Sequence, residues 1–149
     1  MRDNRQCPVT VRGVRVSAKV DYALRAMLEL AAVGGLVKGE QLATAQGIPQ
    51  KFLESILNDL RHAELVASRR GVEGGYSLAR PADTISLADV IRAVEGPIAT
   101  VRGARPEEVE YVGAAAGLQP VWLDLRAAMR GVLEETTLAD VVASSPSAS

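Results

Sequence analysis

The chain has 149 residues, 48% hydrophobic but only 3% aromatic, so its core must be built from aliphatic and alanine-rich helices. With one cysteine (Cys7) and one histidine (His62), it cannot form an intrachain disulfide or a Cys/His zinc site, and no apolar run approaches the ~20 residues that cross a bilayer. The net charge of −1 hides a split: residues 1–80 hold twelve Lys/Arg against eight Asp/Glu, and residues 81–149 hold five against ten. Such a split suits a first half that meets an anion and a second half that stays clear of it.

Residues 1–13 show no period and read as a disordered extension without a secretory signal, which leaves the cytoplasm as the expected location. Ser17 is placed to cap a helix in which Tyr22, Ala23, Ala26, Met27, Leu30 and Ala31 recur at helical spacing, ending before Gly34-Gly35. A second helix runs from Glu40 to Gln46 with Leu42 and Ala43 inward and Gly47 as its stop. Pro49 opens a third, with Phe52, Leu53, Ile56, Leu57 and Leu60 as its expected buried stripe. Its opposite face carries Gln50, Lys51, Glu54, Ser55, Asn58 and Arg61. Two helices joined by Gly47-Ile48-Pro49 make a helix-turn-helix.

Leu65–Arg69 and Gly75–Ala79 read as two strands around Arg70-Gly71-Val72-Glu73-Gly74, with glycines where the backbone needs positive φ. A helix-turn-helix followed by an arginine-bearing hairpin is a wing. Ser86-Leu87-Ala88-Asp89 resembles a capping box for a helix through Val90, Ile91 and Val94 to Glu95, closed by Gly96. Residues 97–118 lack a period and read as a loop with at most one helical turn. From Pro120 a long amphipathic helix keeps Val121, Leu125, Ala128, Met129, Val132 and Leu133 on one seam. Thr137-Leu138-Ala139-Asp140 caps a last short helix, and SSPSAS closes the chain as a disordered tail. The fold class is therefore mainly α with a small β-hairpin wing. The expected units are a 1–13 extension, a 14–80 winged helix-turn-helix, an 81–143 unit of linker, loop and dimerisation helices, and a 144–149 tail.

The runs DYALRAMLELA, GIPQKFLESILNDLRHAELVASRRGVEGGYSLARP and ISLADVIRAVEGP resemble the Rrf2 family of bacterial transcription regulators. The resemblance is dense over residues 14–98 and looser through the closing TTLADVV. It implies a dimeric winged-helix protein with a long C-terminal dimerisation helix, acting on double-stranded DNA, with repression as the commoner mode. It also implies a start at Val14, since family members begin with a sequence like MRVSAKVDYA. Iron–sulfur members of the family carry three cysteines just after the EGP motif. Here that stretch reads IATVRGARPEEVEYVGAAAGLQP and holds none, so no cofactor is expected and cluster sensing is not carried over. Cysteine-free relatives include regulators controlled by a partner protein, and a protein, small-molecule or metal effector stays open.

By family position Glu54 reads a base, accepting from a cytosine amino group, with Gln50, Lys51 and Ser55 on neighbouring bases or phosphates. Arg70 matches the wing arginine and Arg69 stands beside it, suited to a narrow minor groove. Gly71, Gly74 and Gly75 shape the wing, and Tyr76 packs beneath it. Ser17, Lys19 and Tyr22 are candidates for phosphate contacts. His62 reads as a surface residue and Cys7 as an incidental thiol. Glu107, Glu108 and Glu110 read as a solvated acidic patch before a hard-metal site. No catalytic set is present, since no GxSxG, phosphate loop or Ser–His–Asp combination occurs. The competing reading is a winged helix used for protein–protein contact.

Overall fold

The computed structural model describes residues 16–101 and 103–146. The 1–13 extension, Cys7 and residues 147–149 of the tail lie outside the described residues.

Helix α1, Ala18–Val33, begins where Ser17 stands in extended conformation and its Oγ accepts the Val20 N–H at 3.2 Å. Its buried face is Val20, Ala23, Ala26, Met27 and Leu30, and it ends at Gly34 in the left-handed conformation. Helix α2, Gly39–Gln46, buries Leu42 and stops at Gly47 in the same way. Helix α3, Gln50–His62, follows from Pro49 and buries Leu53, Ile56, Leu57 and Leu60. Each of these apolar side chains contributes about 1.5–3 kcal/mol relative to exposure.

Phe52 does not belong to that stripe. It is 58% exposed. Leu53, Ile56, Leu57 and Leu60 are the i, i+3, i+4, i+7 set, and Phe52 falls about 90° from its centre, on the flank toward α1. Its ring there meets Tyr22, with centroids 6.1 Å apart.

Strands β1, Val66–Arg69, and β2, Gly75–Leu78, pair antiparallel with Val66 opposite Leu78 and Arg69 opposite Gly75. The Ala79 N–H donating to the Leu65 carbonyl at 3.0 Å continues the hairpin one pair further. Val37, between α1 and α2, exchanges two backbone bonds of 2.8 Å with Tyr76 and so ties the hairpin to the helices.

Helix α4, Leu87–Glu95, starts with the expected capping box: the Asp89 N–H donates to Ser86 Oγ, and the Ser86 N–H to Asp89 Oδ2, each at 3.0 Å. Residues 97–117 hold two 3-10 turns, Pro106–Glu108 and Gly113–Gly117, where a loop with at most one turn was expected. Helix α5, Leu118–Glu135, begins ahead of Pro120. Proline fits there because the first turn has no intrahelical partner for its N–H. Helix α6, Leu138–Ser144, carries a second capping box between Thr137 and Asp140 and takes in the first residue of the expected tail.

Around α1, the core joins residues of the helix-turn-helix to Ile85, Val90, Val94 and Leu138. The two capping boxes lie side by side: the Leu87 N–H donates to the Thr136 carbonyl and the Leu138 N–H to the Ile85 carbonyl, both at 3.0 Å. Helix α6 thus returns the chain to the same core, where Leu138 is fully buried. Helix α5 has no buried residue.

Candidate nucleic-acid interface

The core stripe of α3 leaves its other face to solvent, and Gln50, Lys51, Glu54 and Ser55 are all exposed there. On the wing side, Glu54, Asn58 and Arg61 of α3 face Ser68, Arg69, Arg70, Gly75 and Tyr76 of the hairpin across a cleft of about 310 Å³. Arg61 Nη2 donates to Asn58 Oδ1 at 2.8 Å, which aligns the two along the ridge. Among the described residues, Lys51, Glu54, Arg61, Arg69 and Arg70 form no ion pair. The cleft therefore presents uncompensated guanidinium groups beside one carboxylate, a set able to bind phosphate and to accept from a base amino group.

Backbone sterics build the wing. A Cβ on Gly74 would collide with the Arg69 carbonyl, and one on Gly75 would lie 2.7 Å from the Val37 carbonyl. Gly71 and Gly75 have φ of 106° and 151°, which favours glycine at both. Lys38 Nζ donates to the Val72 carbonyl at 2.6 Å and pins the wing tip to the start of α2. The three glycines thus act through shape, and Tyr76 is half-buried at the floor of the cleft, paired with Val37.

The structure gathers Glu54, Arg69, Arg70 and Gly75 into one cleft and sets Gln50, Lys51 and Ser55 beside it on the same helix. It does not bring Ser17, Lys19 or Tyr22 to the cleft lining. Ser17 Oγ donates to Glu95 Oε2 at 2.6 Å while capping α1. Lys19 pairs with Asp59 at 3.0 Å, and Tyr22 lies between Phe52 and the Arg25 guanidinium. Each has an intramolecular partner among the described residues. Asn58, Arg61 and Lys38 were not assigned to the site from sequence. The first two follow Glu54 at i+4 and i+7, the spacing of one helical face.

The acidic segment has its own partners. Glu107 accepts from Arg126 Nη1, and Glu108 Oε2 accepts from the Arg105 N–H at 3.2 Å. The Glu107 backbone N–H, then Arg126, hold the Glu107 carboxyl below the usual carboxylate range. Gln119 Nε2 donates to the carbonyls of Pro106, Glu107 and Val109, and Trp122 Nε1 to Tyr111 Oη at 2.9 Å. No group of three or more His, Cys, Asp or Glu able to hold a metal occurs among the described residues. The segment after α4 has no cysteine, so its side chains do not fit an iron–sulfur cluster. Among the described residues, no helix is long and apolar enough to cross a membrane.

Residues 16–144 match the Rrf2 family, described as iron-dependent transcriptional regulators. An HTH-type transcriptional regulator of Mycobacterium tuberculosis is 55% identical over 130 residues, covering 86% of this chain and 81% of that protein. CymR of Bacillus subtilis is 35% identical, over 86% of this chain and 89% of its own length. The solved structure of CymR, the global cysteine regulator of that organism, superposes with a TM-score of 0.76 at 33% identity, covering 89% of this chain and 99% of that one. IscR of T. potens gives a TM-score of 0.72 at 31% identity, over 91% and 95% of the two chains. A winged helix-turn-helix of this build, matched in sequence almost end to end, places the chain in the Rrf2 family of transcriptional regulators.

Proposed function

We propose that the protein is a cytoplasmic, sequence-specific repressor that binds an imperfect palindrome as a homodimer. The observation that carries this reading is the cleft in which Glu54, Asn58 and Arg61 of α3 stand opposite Arg69 and Arg70 of the wing. With α3 in the major groove, Glu54 accepts from a cytosine amino group, while Gln50, Lys51 and Ser55 contact adjoining bases or phosphates. Arg70 enters the neighbouring minor groove, where narrowing raises the negative potential.

One such unit offers too little contact for a tight site. Val121, Leu125, Ala128 and Val132 of α5 follow one helical face, and Val121, Leu125 and Val132 are exposed. Packed against a second copy, that seam sets two half-sites about one helical turn apart, roughly 34–36 Å. Control by a cysteine-ligated cluster is not part of this proposal, because residues 97–117 have no cysteine, and Glu107 with the carbonyls of Pro106 and Val109 is bonded to α5. An effector, protein or small molecule, would act elsewhere or through that same segment.

The test is a fluorescence-anisotropy titration against fragments of the protein's own upstream region, at two salt concentrations and with nonspecific competitor. Binding that survives competitor and weakens with salt, with slope near −0.9 per phosphate neutralised, supports the proposal. Binding that competitor abolishes would leave the winged helix as a protein-contact module.

A further inference from the structure

Phe52 has no place in the core, and its one contact described so far is with Tyr22. It is 58% exposed on the first turn of α3, the turn that also carries Gln50, Lys51 and Glu54. Among the exposed large hydrophobic residues described, it alone lies on the helix-turn-helix reading helix. Its ring is also fixed. Tyr22 packs on it at 6.1 Å with the planes tilted by 43°. The Arg25 guanidinium lies 4.9 Å from the centre of the Tyr22 ring. Arg25 is in turn held by Asp21 at 3.0 Å and by the Gln46 carbonyl at 2.7 Å. The chain Arg25–Tyr22–Phe52 therefore preorganises an apolar surface at the point where a base edge would arrive.

We propose that Phe52 is a further specificity residue, reading the C5 methyl of a thymine in the major groove. The inference rests on the DNA-binding function above. A phenyl ring cannot bond a phosphate or the donor and acceptor atoms of a base edge. The thymine methyl is the one apolar group that the major groove displays. At about 100° per residue, Phe52 and Glu54 flank opposite sides of the ridge formed by Lys51 and Ser55. Phe52 thus reads the base on the α1 side of the ridge, and Glu54 the base on the wing side.

The experiment is a selection of bound duplexes from a randomised pool by the full-length protein, followed by replacement of each selected thymine with deoxyuridine. That change removes only the methyl. One thymine in each half-site should cost the unaltered protein about fourfold in affinity when its methyl is removed, the ratio one buried methyl-sized group is worth. Phe52→Ala, checked for retained helicity, should bind the thymine and deoxyuridine duplexes equally, and Phe52→Leu should keep the preference for thymine. A protein that selects a site but is indifferent to every deoxyuridine overturns the inference and leaves the DNA-binding function standing. So does a deoxyuridine loss that is equally large in Phe52→Ala. Failure to select any sequence overturns the DNA-binding function itself, and the inference with it.

Discussion

Helices α1 and α5 are similar in length, 16 and 18 residues, yet α1 buries Val20, Ala23, Ala26, Met27 and Leu30 while α5 buries nothing. Every apolar stripe around α1 has found a partner within the chain, with α2, α3, α4 and α6 closing over it. Helix α5 is instead held by polar contacts: Gln119, Trp122 and Arg126 near its start, and Glu134 with Arg92 at 2.7 Å near its end. Its apolar seam meets solvent. A helix in water gains most of its stability from packing an apolar face, and the exposed part of the α5 seam is the face left for the proposed second copy. One region is finished within the chain, and the other is the surface that the proposed homodimer would cover.

The sharpest way to break that contrast is Leu125→Asp. The charge sits at the middle of the exposed seam and touches nothing in the core, so the monomer should fold as before. Sedimentation velocity should then show a monomer, and operator affinity should fall roughly 10²-fold or more as the linkage between half-sites is lost. A variant that stays dimeric would move the association surface off α5.

Leu138→Ala tests the other side. The residue is distant in sequence from the helix-turn-helix but fully buried in the same core. Its loss should cost about 2–5 kcal/mol in denaturant unfolding, as for any buried leucine. An effect below about 1 kcal/mol would mean that α6 rides on the surface.

Arg70→Ala separates function from both regions. The side chain is exposed at the wing and pairs with no described residue, so the unfolding midpoint should not move. Operator affinity should drop by about 1–3 kcal/mol, with relaxed specificity at the contacted position. Equal losses on operator and random DNA would reduce Arg70 to a phosphate contact.

What was legible in the sequence was local. Ser86 with Asp89, and Thr137 with Asp140, are capping signals written within four residues, and both boxes form. The α3 stripe was legible except for Phe52, because periodicity marks a band of the helix and says little about residues at its edge. Long-range pairings were not. No strand pattern surrounds Val37, so its bonds to Tyr76 depend on the wing folding back. Ser17 was legible as a helix cap and Lys19 as a candidate phosphate contact, but their partners Glu95 and Asp59 are set by how α4 and α3 pack on α1. At the site, Glu54 and the wing arginines stood out by motif, whereas Asn58 and Arg61 were visible only as members of an exposed face. The first 3-10 turn, Pro106–Glu108, is held by bonds from Gln119, a contact no local pattern encodes.

That segment carries the smallest expected effect, and it bears on how α5 is held when alone. Glu107 is exposed, so its pair with Arg126 is screened, and Glu107→Gln should lower stability only slightly at neutral pH. The folded protein holds the Glu107 carboxyl below its ordinary value near 4.5, whereas the unfolded chain does not. Its contribution is therefore complete above that value and lost as pH falls through the depressed one, where both states are protonated. The unfolding midpoints of the unaltered protein and Glu107→Gln should converge at acid pH and separate at neutral pH, with the gap narrowing in high salt. A gap that persists in acid would mean that Glu107 acts through packing and not charge. The polar attachment of α5 would then rest on Gln119, the Trp122–Tyr111 bond and the Arg92–Glu134 pair.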